Sequence, residues 1–190
     1  MNEVQPIRNL EKIEEIQSYL KEKSYRDYLM FTLGIHSGLR VGDILKLKVK
    51  DVINTDYVYI REQKTTKEKV FKLRQDIQKM LNSYCRGRDQ EEYLIKSRKG
   101  RNKPISRQAA YDVIKQAGER ANVYRLGTHT MRKTFGYHFY RQTKNIAMLM
   151  AIFNHSSEKI TLRYIGVLQD EIDKGMSKFT LGKVEEYDGK

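Results

Sequence analysis

Three short stretches of this chain carry side chains that could work on a phosphate. In Ser37-Gly38-Leu39-Arg40-Val41-Gly42-Asp43, an arginine follows a glycine break and an acid lies three residues further on. Three residues is close to one helical turn, so Asp43 could brace the segment or orient Arg40. In Thr128-His129-Thr130-Met131-Arg132-Lys133, His129 and Arg132 share a face at i, i+3 near the expected start of a helix. Backbone donors and the dipole at a helix start favour an anion, and an arginine can fork onto two phosphate oxygens. In the stretch from Asn154-His155 to Arg163-Tyr164, a tyrosine lies nine positions after a histidine. Each stretch also has an ordinary reading: a surface Arg–Asp pair, a solvated basic face, and one packing tyrosine among 13.

Positioning such side chains requires a fold, and the pattern is helical at both ends with a short strand region between. Asn9 is a cap for a helix with Leu10, Ile13, Ile16 and Leu20 on one stripe. Ser24 and Asp27 read as a capping box for the next helix, which is apolar nearly all round and therefore buried. Ser37-Gly38 ends it, and a further helix runs from Val41 towards Leu47. Tyr57 to Arg61 and Lys69 to Leu73 read as two strands of a hairpin, rich in aromatic and β-branched residues. A helix from Asp76 to Cys85 follows, then a short strand over Glu92 to Ile95. The remainder reads as helices capped at Ser106 and Thr128, a third from Asn145 to Phe153, a fourth that starts at Ser157, and a last one from Asp170 to Phe179.

Bulk properties fit a polyanion partner. The chain has 190 residues, with 37 Lys and Arg against 24 Asp and Glu, giving a formal net charge of +13. Such a balance concentrates nucleic acid near the surface, because each neutralised phosphate releases a counterion. Cys85 is the only cysteine, so no intramolecular disulfide can form and a cytoplasmic setting is expected. Cys85 follows Leu81 and Tyr84 in an expected helix, which makes it a packing residue. No signal peptide and no apolar run long enough to span a membrane is evident. No repeat or linker divides the chain, so one domain is expected.

Taken together, the three stretches resemble the tyrosine recombinases of the phage integrase type. Gly38-Leu39-Arg40-Val41-Gly42-Asp43 is similar to the first signature box, and His129-Thr130-Met131-Arg132-Lys133-Thr134-Phe135 to the second. Asn154-His155-Ser156-Ser157, followed by Thr161-Leu162-Arg163-Tyr164-Ile165-Gly166, is similar to the closing segment. Their order and spacing match, as does a lysine-bearing hairpin between the first two. The resemblance covers roughly residues 7 to 180 and implies an α+β, mostly helical catalytic domain with a small antiparallel sheet. Residues 181–190 would form a C-terminal tail.

The resemblance also implies roles. Arg40 and Arg132 would clamp a scissile DNA phosphate, while His129 and His155 hydrogen-bond its oxygens. Tyr164 would attack phosphorus to give a 3′-phosphotyrosyl link. Lys64 would protonate the leaving 5′ oxygen, with Lys67 and Lys69 as competitors, and Asp43 would support the site. A tyrosine hydroxyl is a poor nucleophile near neutral pH, and cations beside it are expected to favour the phenolate. The cations would also stabilise charge on the phosphoryl oxygens, so neither metal nor cofactor is expected. The implied partners are double-stranded DNA and further copies of the chain, as a tetramer on DNA, with Phe179 to Lys190 docking on a neighbour. The run Arg98 to Lys103 would touch backbone phosphates without reading sequence. Two departures stand out. Asn154 occupies a position where the family usually has glycine, and the first helix begins almost at Met1, without the N-terminal core-binding domain usual in the family. Either the chain is a fragment or it is a short enzyme. A type IB topoisomerase, or a DNA-binding regulator that kept the fold, are the other readings; the intact residue set argues against the regulator.

Overall fold

The computed structural model describes residues 4–61 and 68–181. Helix α1 (Leu10–Lys23) begins at Asn9, whose Oδ1 accepts the Glu11 N–H at 2.7 Å. Ile13, Ile16 and Leu20 turn inward, and α1 packs against α2 (Tyr25–Ser37), but Leu10 of the expected stripe is 60% exposed. The Ser24 side chain makes no cap hydrogen bond, and the Asp27 carboxylate pairs instead with Arg26 at 2.7 Å. Every side chain from Leu29 to Ile35 is buried, as an all-round apolar helix requires. Gly38 then closes α2 in the left-handed conformation, φ +66°.

Helix α3 (Val41–Ile44) stops short of Leu47. The reason is competition for backbone: Leu47 C=O accepts the Leu94 N–H at 2.7 Å, and the Val49 N–H donates to Glu92 C=O at 2.9 Å. These contacts give the 92–95 stretch only an isolated bridge, Lys48 to Tyr93, and not the expected strand. Strands β1 (Tyr57–Arg61) and β2 (Glu68–Lys72) pair antiparallel with Val58 opposite Phe71, and β2 begins and ends one residue earlier than the Lys69 to Leu73 pattern suggests. Val58 and Ile60 point to the core and Tyr57 and Tyr59 outward, the period-two pattern of a half-buried hairpin.

Helices α4 (Gln75–Cys85), α5 (Arg107–Arg120), α6 (Thr128–Thr143), α7 (Ile146–Phe153), α8 (Glu158–Tyr164) and α9 (Val167–Lys178) complete the domain. Cys85 is fully buried, and burial pushes its thiol pKa up. Ser106, Asn145 and Ser157 cap α5, α7 and α8 with their side chains. The N-cap of α6 is Gly127 and not Thr128, with the Thr130 hydroxyl accepting the Gly127 N–H at 3.0 Å. Helix α9 starts three residues earlier than expected, from Gly166 at φ +81°. Among the described residues no helix is long and apolar enough to cross a membrane.

Two apolar clusters hold these elements. The larger joins α1 to α5, the hairpin and Met131 of α6. The smaller contains Tyr137, Leu149, Phe153, Ile165 and Val167, with Tyr164 packed against it. Helix α6 contributes to both, so His129 and Arg132 lie on an element that links them. Its fit is close on each side. A Cβ on Gly34 of α2 would fall 2.6 Å from Met131 Sδ, and one on Gly136 would fall 2.6 Å from Ile165 Cγ2 and 2.7 Å from the Phe153 ring.

Candidate active site

Arg132 is the structural centre of the site. It is 3% exposed, and its guanidinium donates to Gly38 C=O at 2.6 Å and to Phe153 C=O at 3.0 Å. The group also lies over the Phe153 ring, 4.2 Å from its centroid. One side chain thus ties the α2–α3 turn to the end of α7. Charge-assisted bonds to buried carbonyls are of the strong kind. Arg40, the N-cap of α3 and half-buried, enters from that turn. Asp43 is 4% exposed in the same short helix and lines the cleft that Arg40 borders.

That cleft has a volume of about 260 Å³ and is lined by Arg40, Gly42, Asp43, Arg107, His129 and Arg132, among others. Helices α5 and α6 both begin at it, through Arg107 and through Thr128 and His129, so two positive helix ends add to the cationic side chains. Among the described residues no group of three His, Cys, Asp or Glu side chains is placed to hold a metal ion.

Tyr164 reaches the site from the last turn of α8. Its hydroxyl lies 3.4 Å from His129 Nδ1, and Arg132 also bonds to it. The ring packs edge-on against Phe153 and His155, with centroids at 5.5 and 5.2 Å. The Lys133 ammonium sits 5.2 Å from the ring centroid and is itself buried. The pKa of this phenol departs from the expectation that neighbouring cations would favour its ionised form. Burial pushes it above the ordinary tyrosine value, outweighing Arg132 and Arg40, which pull it down. In the DNA-free protein Tyr164 is therefore protonated at neutral pH.

His155 stands just past the α7 end, where Asn154 adopts the left-handed conformation (φ +55°) that glycine would take more easily. Asparagine tolerates this region better than most residues, which explains how the turn survives the change. His155 Nδ1 lies 3.1 Å from the Thr161 hydroxyl, and that hydroxyl donates to Ser157 C=O at 3.0 Å. Thr161 has a single proton to give, so His155 Nδ1 must be the donor. The opposite nitrogen, Nε2, then carries a proton only when the ring is charged.

Arg40, Asp43, His129, Arg132, His155 and Tyr164 are thus gathered in one place from segments far apart in the chain. Lys64 and Lys67 lie outside the described residues, and of Lys69 only its place in β2 is described. Two residues escaped the sequence reading. Lys133 stands in the sequence only as part of a motif, yet its ammonium lies 5.2 Å from the Tyr164 ring centroid. Arg107 gave no signal beyond following the Ser106 cap.

The sequence profile of the phage integrase family matches residues 8–171. Over 170 residues the chain is 48% identical to the probable integrase/recombinase YoeC of Bacillus subtilis (strain 168), covering 90% of this chain and 93% of that protein. It is 28% identical over 174 residues to the tyrosine recombinase XerA of Thermococcus onnurineus (strain NA1), covering 90% of this chain but 61% of that one. A crystal structure of XerH site-specific recombinase bound to a palindromic difH substrate, in a post-cleavage complex, shares the fold with a TM-score of 0.71 at 17% identity, covering 93% of this chain and 54% of that one. The chain belongs to the phage integrase family.

Proposed function

We propose that the protein is a tyrosine-type site-specific recombinase that cuts and rejoins double-stranded DNA through a covalent link at Tyr164. The observation that carries this reading is the meeting of the Tyr164 hydroxyl with His129 and Arg132 beside a cationic cleft that also holds Arg40. In the proposed step the Tyr164 oxygen attacks phosphorus and its proton passes to His129 Nδ1. The bond from phosphorus to the 5′ oxygen breaks, and Lys64 supplies the proton that oxygen needs. Arg40 and Arg132 neutralise the charge gathering on the two non-bridging oxygens. His155 donates to the same phosphate through Nε2, which makes it an imidazolium in that complex. The phosphotyrosyl ester conserves the energy of the broken bond, so rejoining needs no ATP. The raised phenol pKa suits this sequence, because the nucleophile stays masked until DNA brings the phosphate and tightens the long contact to His129.

The residues from 7 to 180 serve as the catalytic unit, and the reaction takes place in the cytoplasm, where a chain with one buried thiol meets DNA. The assembly is a tetramer on paired sites. Ile172, Met176 and Phe179 recur along α9 and its end with large exposure, a stripe suited to a neighbouring copy. The test is covalent trapping on a pool of nicked suicide duplexes with randomised cores. A covalent adduct that disappears in Tyr164→Phe is expected. An adduct that persists in that variant would identify another nucleophile. Efficient relaxation of a plasmid without any selected site, and without recombinants, would favour a type IB topoisomerase instead.

A further inference from the structure

Arg107 is the exposed arginine of the cleft. Ser106 caps α5 by accepting the Ala109 N–H at 3.0 Å, which fixes Arg107 as the first helical residue beside the cleft. Its guanidinium lies against Gly42. A Cβ built on Gly42 would fall 2.8 Å from the terminal Nη2 and 3.3 Å from both Cζ and Nε, so the plane rests on a backbone that only glycine leaves open. Arg132 in the same cleft is buried and spends two donors on Gly38 and Phe153. Arg40 is half-buried. The cleft therefore presents a third guanidinium on its solvent side, in reach of an incoming polyanion before the other two.

We infer that Arg107 is a third guanidinium donor to the DNA phosphates bound in this cleft, where it packs over the bare backbone of Gly42. The inference rests on the recombinase reading above. A planar fork of donors suits phosphate oxygens whether they belong to the scissile phosphate or to the one beside it. Each source predicts the same arginine and a different position of dependence.

The experiment measures the rate of covalent adduct formation on a suicide duplex recovered from the pool, at saturating protein, for wild type, Arg107→Ala, Arg107→Lys and Gly42→Ala. Arg107→Ala is expected to slow the step by roughly 10- to 100-fold, the worth of one charge-assisted hydrogen bond, in protein shown by its melting curve to be folded at the assay temperature. Arg107→Lys should recover part of the loss. Gly42→Ala should slow the reaction in the wild-type background and add little to Arg107→Ala, since both displace one guanidinium. Methylphosphonate substitution then locates the contact. Neutralising the phosphate that Arg107 holds slows the wild type and leaves Arg107→Ala no slower than before, at the scissile position or at its neighbour. An Arg107→Ala rate within about twofold of wild type, or equal methylphosphonate sensitivity in both proteins at both positions, overturns the assignment while the Tyr164 adduct stands. No adduct from the wild type on any duplex overturns both readings.

Discussion

Replacing Arg132 with methionine should damage the fold as well as the chemistry. The guanidinium satisfies two carbonyls, Gly38 at 2.6 Å and Phe153 at 3.0 Å, in a setting that is 3% exposed. Methionine keeps the apolar stem and leaves both carbonyls without this donor, at about 1–3 kcal/mol each. The contact with the Phe153 ring adds about 2 kcal/mol when desolvated. Against this, the variant no longer has to bury a charge, which in real proteins recovers several kcal/mol. The carbonyls should win because they stay buried between the α2–α3 turn and α7, leaving a net loss of about 2–4 kcal/mol. For a chain of this size that lowers the melting temperature by about 4–16 °C. The assay is thermal and urea unfolding without DNA, with Arg163→Met as the control, since Arg163 is an exposed neighbour of Tyr164. The control should stay within about 0.5 kcal/mol of wild type. A melting temperature for Arg132→Met within about 2 °C of wild type would refute the staple and leave Arg132 as a phosphate ligand alone.

Other outcomes follow from the same geometry. Gly136→Ala places a methyl group 2.6 Å from Ile165 and 2.7 Å from the Phe153 ring, both fully buried; overpacking of about 1–3 kcal/mol should exceed the helix-propensity gain of about 1 kcal/mol, so the melt falls and adduct formation slows with it. Thr161→Val removes the hydroxyl that lies 3.1 Å from His155 Nδ1, so the imidazole loses one of its orienting contacts and adduct formation should slow by about 10-fold, read from the single-turnover rate. Alkaline stability has a defined sign. Burial raises the pKa values of Cys85, Tyr84 and Tyr164 above their ordinary values of 9.0 and 10.0. Folded protein then holds these protons more tightly than the unfolded chain, so stability is full below about pH 9 and declines as pH rises past the unfolded values. Urea midpoints across pH 7 to 11, and unchanged by alkali, would contradict the burial of these groups.

What could be read from the sequence was local. Asn9 and Ser106 cap their helices with side-chain bonds to backbone two or three residues on, and such bonds depend on nothing distant. The Gly38 turn likewise follows from one residue's freedom at positive φ. The clustering of Arg40, His129, Arg132, His155 and Tyr164 was legible only because three motifs occurred together. What failed was long-range. Arg132 donates to carbonyls 94 and 21 residues away, and carbonyls leave no mark in a sequence. Glu92 to Ile95 has strand-like residues, but both Leu94 and Ile95 are fully buried and the partner backbone offers one bridge only. The Tyr164 phenol was read from its cations, whereas Phe153 and His155 pack on it and burial sets the direction. Arg107 depends on a missing Cβ at Gly42, 65 residues earlier in the chain.

The most direct measurement digests the trapped protein–DNA complex with protease and sequences the peptide that remains attached to DNA. The account requires a single attachment, on the phenol oxygen of the peptide containing Thr161-Leu162-Arg163-Tyr164-Ile165, to a 3′ phosphate. Attachment at any other of the 13 tyrosines, or at a different residue type, would contradict it.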